Sequence, residues 1–345
     1  MYIQLVTKND SLGVKKWDEY VEISKTSTFF HQIKWKNVIE KVLGYESFYL
    51  MAEEEKKIKG ILPLFLIKSK FLGKVLISVP FGVYGGICAD DEESSNALFK
   101  EAVKIAKEKD IDYLELRHLY ENELGLLKND IHWTFIIEFP EKIEILWNGL
   151  KRKARGAIRK GVNSGLEVEI DSTNGLDEFY NIFAHSLRNL GSFILPFKYF
   201  KTIKEEFGEQ IIISLIRYEG KVVAGILTFL FKDTIIPYYG GCIKSSLPYS
   251  PNNLMYWKLM EYGLEKGYKF FDFGKSKKGT GSFDFKINFG FKPKPLHYQY
   301  FLNKTEKMPD PGSSNWEYRI IKRLIKKTPV SIAKIIGPGI VKHLP

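Results

Sequence analysis

The chain has 345 residues, of which 44% are hydrophobic and 14% aromatic, so it is long enough and apolar enough to form two globular domains. Its net charge of +11 is concentrated in two segments: residues 151–160 carry six positive and no negative charges, and residues 301–345 carry nine basic and three acidic residues. This composition excludes a disordered chain, and two blocks of positive charge indicate two surfaces that face anions.

Signals for export, membrane insertion and metal binding are missing from the sequence. The N-terminus MYIQLVTKND does not have the charged start, apolar run and cleavage site of a secretory signal, and no apolar run is long enough to span a bilayer. The two cysteines, Cys88 and Cys242, exclude a disulfide framework, and the six histidines show no metal-ligand spacing. We expect a cytoplasmic protein without a bound metal.

The first half of the chain alternates between helix and strand patterns. A helix around Trp35 precedes two strands joined by a charged turn in GYESFYLMAEEEKKIKGILPLFL (residues 44–66). A third strand contains the Tyr-Gly-Gly of PFGVYGGICAD (residues 80–90), and an amphipathic helix at residues 94–112 leads into the strand YLELRH (residues 113–118). Such an order predicts a sheet with helices packed on its faces.

The same order of elements recurs in the second half. A helix around Tyr199 precedes the strand pair FGEQIIISLIRYEGKVVAGILTFLF (residues 207–231), the Tyr-Gly-Gly strand of IPYYGGCIKSS (residues 236–246) and the strand FFDFGKS (residues 270–276). Matching positions lie 164 or 165 residues apart in three pairs, which are Trp35 and Tyr199, Gly44 and Gly208, and Gly60 and Gly225. The repeat predicts an α/β (α+β) fold of two tandem domains with mixed sheets flanked by helices, at residues 1–146 and 166–303.

A basic segment, WNGLKRKARGAIRKGVNSG (residues 147–165), separates the two repeats and is predicted to be a linker helix. One face of this helix carries the apolar residues Leu150, Ala154, Ala157 and Ile158. The remaining surface is basic and includes Arg152, Arg155 and Arg159. Arginines at this spacing indicate a phosphate-binding site, and the alternative is a solvated linker without a ligand.

The stretch DFGKSKKGTGSFDFKINFGF (residues 272–291) combines glycines, aromatic rings and lysines. Its glycines allow backbone amides to approach a ligand, and its lysines supply charge for a phosphate or carboxylate. Alternation across Phe283–Lys286 predicts a strand with Asp284 and Lys286 facing away from the core. The alternative is a glycine-rich hairpin with solvated lysines.

These motifs, together with NLG followed by P-x-x-Y-F and with MYW, resemble the FemAB-related proteins over roughly residues 20–300. The resemblance is closest to the subgroup associated with bacterial exopolysaccharide export, and the 272–291 stretch is its most specific part. It implies two GNAT-like domains and an enzyme that acts as an N-acyltransferase or aminoacyltransferase. Better-known members transfer amino acids from aminoacyl-tRNA to peptidoglycan precursors.

The resemblance also implies functional residues. Phe285 and Lys286 align with a Phe-Lys pair in the family's transfer site, where the ammonium group stabilises the developing oxyanion. Neither Ser-His-Asp nor Cys-His spacing is present, which favours direct transfer over a covalent intermediate. The candidate catalytic residues are Lys286, Asp272, Asp284 and Tyr239. The candidate substrate-binding residues are Arg152, Arg155, Arg159, Arg188, Asn189, Tyr199, Tyr238, Phe285, Lys275 and Ser276.

The donor is left open between acyl-CoA and aminoacyl-tRNA, which serve as co-substrates and not as bound cofactors. SSLPYSPNNLMYW (residues 245–257) lacks the glycine run that receives pyrophosphate in single-domain GNAT enzymes, and no coiled-coil heptads supply the helical hairpin of tRNA-using members. The acceptor is an amine of an anionic or lipid-linked envelope precursor. The alternative function is a non-catalytic module that binds an anionic glycan or lipid at the export machinery, and no DNA-reading module is recognisable.

The tail, residues 304–345, lies outside the repeats. In NWEYRIIKRLIKK (residues 315–327) four apolar residues recur at helical spacing, and basic residues occupy the other face. This pattern predicts a helix in the interface of the inner membrane, with Trp316 and Tyr318 as anchors and with Pro338 preventing one continuous helix. The alternative is that the helix packs on the protein's own surface.

Overall fold

A computed structural model describes residues 1–172, 174–309 and 316–344, which fold into two compact units. The first unit comprises Met1–Asp130, Leu296–Gly312 and Ile340–Pro345. The second comprises Ile131–Pro295 and Ser313–Gly339. Each unit is a mixed sheet with helices, so the predicted α/β fold class is confirmed.

The described helices are α1 Ser11–Ile23, α2 Ile33–Leu43, α3 Glu92–Glu108, α4 Ile143–Gly149, α5 Arg152–Asn163, α6 Leu176–Leu190, α7 Phe197–Phe207, α8 Pro251–Glu265, α9 Gly281–Asn288, α10 Trp316–Lys327 and α11 Val330–Val341. The described strands are β1 Tyr2–Val6, β2 Glu46–Glu54, β3 Lys57–Ser69, β4 Gly73–Ile77, β5 Cys88–Ala89, β6 Tyr113–His118, β7 Leu127–Asn129, β8 His132–Thr134, β9 Ile136–Glu138, β10 Glu167–Glu169, β11 Ile211–Tyr218, β12 Lys221–Phe231, β13 Thr234–Cys242, β14 Phe270–Asp272, β15 Ser276–Lys277, β16 Lys294–Pro295 and β17 His297–Leu302. Short 3₁₀ helices lie at Phe29–His31, Gly208–Gln210 and Lys244–Tyr249.

The sheet of the first unit has the strand order β1-β2-β3-β4-β6-β17-β7, and β5 pairs with β3 off this path. The pairing between β4 and β6 is parallel, whereas the neighbouring pairs are antiparallel. Successive side chains of β2 point to opposite faces. Leu50 belongs to an aliphatic cluster that includes Leu98 of α3, and Tyr49 contacts Trp17 of α1, with ring centroids 4.7 Å apart.

The main sheet of the second unit has the order β10-β11-β12-β13-β14-β9, and a small sheet has the order β15-β8-β16. On one face, α5 and α8 enclose a core that includes Ala154, Ile158 and Leu254. Phe183 of α6 and Phe200 of α7 pack edge to face with Tyr239 of β13, and these side chains belong to an aromatic cluster on the other face of the sheet. The sheet is therefore covered by apolar side chains of two helix pairs.

The repeat predicted from the sequence appears in both units. Helices α2 and α7 both end at a glycine with positive φ, Gly44 at 72° and Gly208 at 54°, and each is followed by an antiparallel strand pair. The third strand differs between the copies. The second Tyr-Gly-Gly lies in β13, whereas the first lies in a loop before β5, so the predicted first Tyr-Gly-Gly strand is wrong.

The unit boundaries differ from those expected. Strand β17 falls within the expected second domain, residues 166–303, yet it pairs with β6 and β7 in the sheet of the first unit. Helix α5 is not a free linker, because its apolar face is buried in the core of the second unit. Gly161 of this helix lies so near α8 that an added Cβ would be 3.0 Å from the Cβ of Leu254. Apolar burial therefore holds α5 in that unit.

The tail forms two helices that partly pack on the second unit. Ile325 and Ala333 are buried, and the Nζ of Lys334 donates a 2.6 Å hydrogen bond to Asn181 of α6. The packing alternative is therefore confirmed for this face of the tail. The helices are interrupted at Thr328 and Pro329, not at Pro338, which lies inside α11.

Among the described side chains of the tail, five large apolar ones are exposed, which are Ile320, Leu324, Ile332, Ile335 and Ile336. The side chains of Trp316 and Tyr318 lie outside the described residues. Within the described ranges, no helix is long and apolar enough to cross a membrane.

Candidate functional site

The site begins where β14 ends. Asp272 is the last residue of this strand, and its Oδ1 accepts a 2.7 Å hydrogen bond from the backbone N–H of Gly274. Gly274 has a φ of 67°, a left-handed conformation that favours glycine. The bond and the glycine together turn the chain sharply, so that Ser276 and Lys277 can pair with β8.

Residues 281–288 form helix α9, so the predicted Phe283–Lys286 strand is wrong. The helix begins because the Oγ1 of Thr280 accepts a hydrogen bond from the backbone N–H of Phe283 at 3.4 Å, in the usual manner of an N-cap. Asp284 occupies the first turn and is exposed, at a position where a carboxylate interacts favourably with the helix dipole. Asp284 and Lys286 therefore do not share a face as the strand pattern predicted.

Lys286 points inward and is only 7% exposed, which corrects its expected solvent-facing position. Its Nζ donates hydrogen bonds of 2.8 Å to the carbonyl of Gly274 and 3.0 Å to that of Lys275, and it lies 5.4 Å from the centroid of the Phe135 ring. Burial lowers the pKa of Lys286 to about 8, and the nearby Asp272 carboxylate opposes this shift. At neutral pH the side chain is therefore mainly an ammonium ion.

An ammonium group has three N–H donors, and the two carbonyls use two of them. The third N–H of Lys286 is therefore available to an added acceptor such as a developing oxyanion. In a site with little water, such a charged donor is stronger than it is in bulk solution.

Asp272 is buried and serves as a positioning residue. Its carboxylate fixes the Gly274 amide and also receives a long hydrogen bond from the Oγ1 of Thr134, at 3.5 Å. By holding Gly274, it places the carbonyl that accepts from Lys286. Asp272 thus has two effects: it holds the turn at the end of the strand, and its negative charge lies near the ammonium group of Lys286.

Aromatic rings enclose the other side of α9. Phe285 contacts Tyr256 of α8, with ring centroids 5.5 Å apart, and Tyr256 contacts Phe273 at 4.8 Å. Burial raises the pKa of Tyr256 to about 12, so its hydroxyl stays protonated. Ser276 is buried, and its Oγ accepts a 3.2 Å hydrogen bond from Ser282. Lys275 contributes its carbonyl to Lys286.

Tyr239 lies in a different part of the unit. Its hydroxyl is hydrogen-bonded to that of Tyr199 at 2.9 Å, and both side chains are buried in the aromatic cluster beneath α6 and α7. Burial raises the pKa of Tyr239 well above its ordinary value, with Tyr199 adding to the shift. This pair stabilises the fold, and Tyr238 packs beside it with ring centroids 4.8 Å apart.

The remaining candidates lie on helix surfaces. Arg188 of α6 donates to the backbone carbonyl of Lys326 at 3.3 Å and so helps to hold the tail, and Asn189 is half-buried beside it. Arg152 and Arg159 are exposed on α5, and the Arg159 guanidinium lies 5.4 Å from the centroid of the Trp147 ring. Arg155 is half-buried. The three arginines thus lie on the basic face of α5, as the sequence predicted.

The sequence did not identify every residue around Lys286. Phe135 and Thr134 come from the short apolar run TFIIEF (residues 134–139), whose composition gives no functional signal. Thr280 was identifiable as an N-cap from its position before a hydrophobic segment. Among the described residues, no cluster of His, Cys, Asp and Glu has the grouping of a metal site.

Residues 148–286 match the model of the acetyltransferase (GNAT) domain family, and the match ends on Lys286 itself. The chain carries a GNAT acetyltransferase domain. The match runs from α5 to the first six residues of α9, so Asp272, Gly274, Lys275 and Lys286 lie within this domain and the β8–β9 segment lies outside it. No curated protein matches the chain at a significant level of sequence similarity.

Solved structures share the fold of almost the whole chain at low sequence identity. FemX is 15% identical over 88% of this chain and 98% of its own, with a TM-score of 0.69. A tandem GNAT protein from the clavulanic acid biosynthesis pathway is 10% identical over 87% and 98% of the two chains, with a TM-score of 0.59. L-PGS from Bacillus licheniformis is 14% identical over 89% and 100%, with a TM-score of 0.53. The GNAT domain and the FemX-like fold confirm the resemblance to FemAB-related proteins at the level of domain and fold.

Proposed function

We propose that this protein is an N-acyltransferase that moves an activated acyl group onto an amine of a cell-envelope precursor, in peptidoglycan or exopolysaccharide synthesis. The observation that carries this proposal is the buried ammonium group of Lys286. It is fixed by two carbonyls and keeps one N–H available, inside a segment that matches the GNAT domain.

The chemistry follows from this geometry. A neutral amine attacks the acyl carbon, and the carbonyl oxygen becomes negatively charged as the tetrahedral intermediate forms. The intermediate then collapses: the acyl–sulfur bond of acyl-CoA, or the acyl–oxygen bond of aminoacyl-tRNA, breaks, and the proton lost by the amine ends on the departing thiol or tRNA hydroxyl. The remaining N–H of Lys286 donates to that oxygen, and the positive charge is close enough to stabilise it. Lys286 is buried beside the Phe135 ring, which keeps most water away from the ammonium group and strengthens this interaction.

The donor is acyl-CoA or aminoacyl-tRNA. The GNAT-domain match favours acyl-CoA, whereas the loop before α8 is a 3₁₀ helix, Lys244–Tyr249, and lacks the glycine run that receives pyrophosphate. Arg152, Arg155 and Arg159 offer forked donors to a phosphate of the anionic substrate. The exposed apolar residues of the tail contact the inner membrane, where lipid-linked precursors are presented.

The purified full-length chain tests the proposal. It is incubated with labelled acetyl-CoA, or with a mixture of labelled aminoacyl-tRNAs, in the presence of a lipid-linked or nucleotide-linked envelope precursor with a free amine. Transfer of the label to the precursor, and its loss in Lys286→Met, is the expected result. Binding of the precursor without label transfer from either donor would instead identify the non-catalytic glycan- or lipid-binding module.

A further inference from the structure

A cavity lies entirely within the first unit. It has a volume of about 380 Å³, and its walls come from three segments: residues 26–31, residues 85–95 and residues 118–123. The second segment includes the loop with the first Tyr-Gly-Gly and the start of α3. A cavity of this size is in the range of small-molecule sites.

His118 lines this cavity at the end of β6. It is 3% exposed, and neither of its ring nitrogens has a hydrogen-bond partner. Buried polar groups are normally paired, because an unpaired one costs free energy. Burial lowers the pKa of His118 to about 3, against an opposing interaction with the backbone of His297, so the ring is neutral at physiological pH and has one donor and one acceptor nitrogen.

Gly86 keeps the ring of His118 in place. A Cβ added at this glycine would lie 2.4 Å from the Cδ2 of His118, so a larger residue would displace the ring. The carbonyl of Gly86 is bonded to the Nε2 of His31 at 2.9 Å, which fixes this wall of the cavity. The ring of His118 therefore packs directly against the backbone of Gly86 in this wall.

The rim of the cavity is acidic although the chain as a whole is basic. The carboxylates that line it are Asp90, Asp91, Glu92, Glu121 and Glu123, and no lysine or arginine does so. Asp91 caps α3 by accepting from the backbone N–H of Ser94, and Glu121 pairs with Lys128 at 3.3 Å. Glu92 and Glu123 come from two different walls and add negative charge to one opening.

We propose that this cavity binds a small organic cation with a primary ammonium group. The carboxylates attract and hold the ammonium charge, and His118 accepts or donates a hydrogen bond to a polar group that enters the cavity. A metal ion is the less suitable occupant, because no group of the described residues has the spacing of a metal site. The proposal does not depend on acyl transfer, since the cavity and the Lys286 site lie in separate units.

Isothermal titration calorimetry on the full-length chain tests the charge requirement. The probes are glucosamine and cadaverine, each compared with a neutral partner of similar shape, N-acetylglucosamine and pentanol. We expect saturable binding of at least one ammonium probe and at least about tenfold weaker binding of its neutral partner. Equal binding of charged and neutral partners, or no binding of either amine at millimolar concentration, would overturn the proposal.

Paired variants locate the binding site. Glu92→Gln combined with Glu123→Gln is expected to weaken ammonium binding about tenfold or more, since both residues line the cavity. The control is Glu93→Gln, an exposed glutamate on the same helix that does not line the cavity. All of these side chains are exposed, so the variants are expected to fold. If the double variant and the control bind equally well, the ammonium ion does not occupy this cavity.

Discussion

The ammonium group of Lys286 is buried, which is unusual for a lysine. Burial removes most of its water, and two backbone carbonyls replace only part of the lost hydration. A buried ammonium group lowers the free energy of unfolding of the protein, and it attracts strongly any anion that enters the site. Burial of the ammonium group therefore lowers the folding stability and also strengthens its attraction for an anion, and both effects can be measured.

We predict that Lys286→Met lowers the acyl-transfer turnover by about 100-fold or more, the usual effect of removing an oxyanion donor. Methionine keeps an unbranched apolar stem of similar length, so the thermal midpoint should change little compared with the loss of activity. Lys286→Ala is a poorer test, because it also leaves a cavity beside Phe135. Turnover is measured by label transfer at saturating donor.

Lys278→Met is the matched control, because Lys278 is an exposed lysine of the same loop. It should keep nearly full activity. Full activity in Lys286→Met would remove Lys286 from the mechanism, and equal losses in both variants would point to the general charge of the loop.

The pKa of Lys286 predicts two opposite effects of raising the pH. Turnover should decline as the pH rises through about 8, because the oxyanion donor loses its proton there. Folding stability should instead increase between pH 8 and the ordinary lysine value of 10.5, since only the unfolded chain keeps the proton in that window. Denaturant titrations of the wild type and Lys286→Met across this range measure the difference. A wild-type turnover that stays level to pH 10 would contradict the first prediction.

At the scale of one element, α9 shows what a local pattern can and cannot predict. The alternation of Phe283, Asp284, Phe285 and Lys286 is also compatible with a strand, and the pattern alone favoured one. The helix forms because Thr280 caps it and because its aromatic residues pack against Tyr256 and Phe273 of other elements. Those distant rings are not visible in the sequence window. The identity of Lys286 was predictable from the family motif, but its burial was not.

Helix α5 combines an apolar face that is buried with a basic face that is not. We predict that replacing Arg152, Arg155 and Arg159 together by Gln raises KM for the anionic substrate and reduces the dependence of KM on salt. The core face of α5, with Ala154 and Ile158, is left unchanged, so the fold should persist. Steady-state kinetics at several salt concentrations provides the measurement.

The control removes the same number of charges elsewhere. Lys100, Lys104 and Lys107 are exposed on α3 of the first unit, and their replacement by Gln should not change KM. An unchanged KM and salt slope in the arginine variant would show that α5 has only a structural role.

We predict that the tail binds anionic membranes through its exposed apolar and basic side chains. Ile320, Leu324, Ile335 and Ile336 are exposed, and each basic residue near an anionic surface adds about 1 kcal/mol. Replacing these four residues by Ser should abolish co-sedimentation with anionic vesicles and leave the docked Ile325 and Ala333 in place. Neutral vesicles should bind the wild type more weakly.

Leu12→Ser combined with Ile23→Ser is the matched control for the tail, because these residues are exposed apolar positions of α1. This variant should bind anionic vesicles as the wild type does. If the wild type ignores anionic vesicles at low salt, the exposed face of the tail does not contact a membrane.

At the scale of the whole molecule, the repeat was predictable because it depends on local signals such as the helix-ending Gly44 and Gly208. The two copies nevertheless differ in chemistry. The position that matches Asp272 is Glu115, which accepts a 2.7 Å bond from Arg117, and Arg117 also donates to the carbonyls of Val79 and Gly82. This guanidinium is already surrounded by protein acceptors, which supports the placement of the proposed chemistry in the second unit.

The location of β17 was not predictable, since pairing between strands far apart in sequence leaves no periodicity. This strand lies between β6 and β7 and carries Tyr298 and Gln299, both buried. The hydroxyl of Tyr298 donates to the carbonyl of Val83, and Asn303 donates to the carbonyl of Ile111 at 2.8 Å. The sheet of the first unit therefore depends on residues near the end of the chain.

We predict that residues 1–146 alone do not fold cooperatively, because without β17 the edge of β6 is unpaired and its apolar neighbours are exposed. Joining residues 1–130 to residues 296–304 by a short Gly-Ser linker should restore a cooperative thermal transition. The linker can be short, since Asn129 and Tyr298 are paired in antiparallel strands. Circular dichroism and amide exchange provide the measurement. The control is the same joined chain with Tyr298→Ser and Tyr300→Ser, which should melt at a lower temperature. A cooperative transition in residues 1–146 that matches the joined chain would show that β17 is dispensable for this unit.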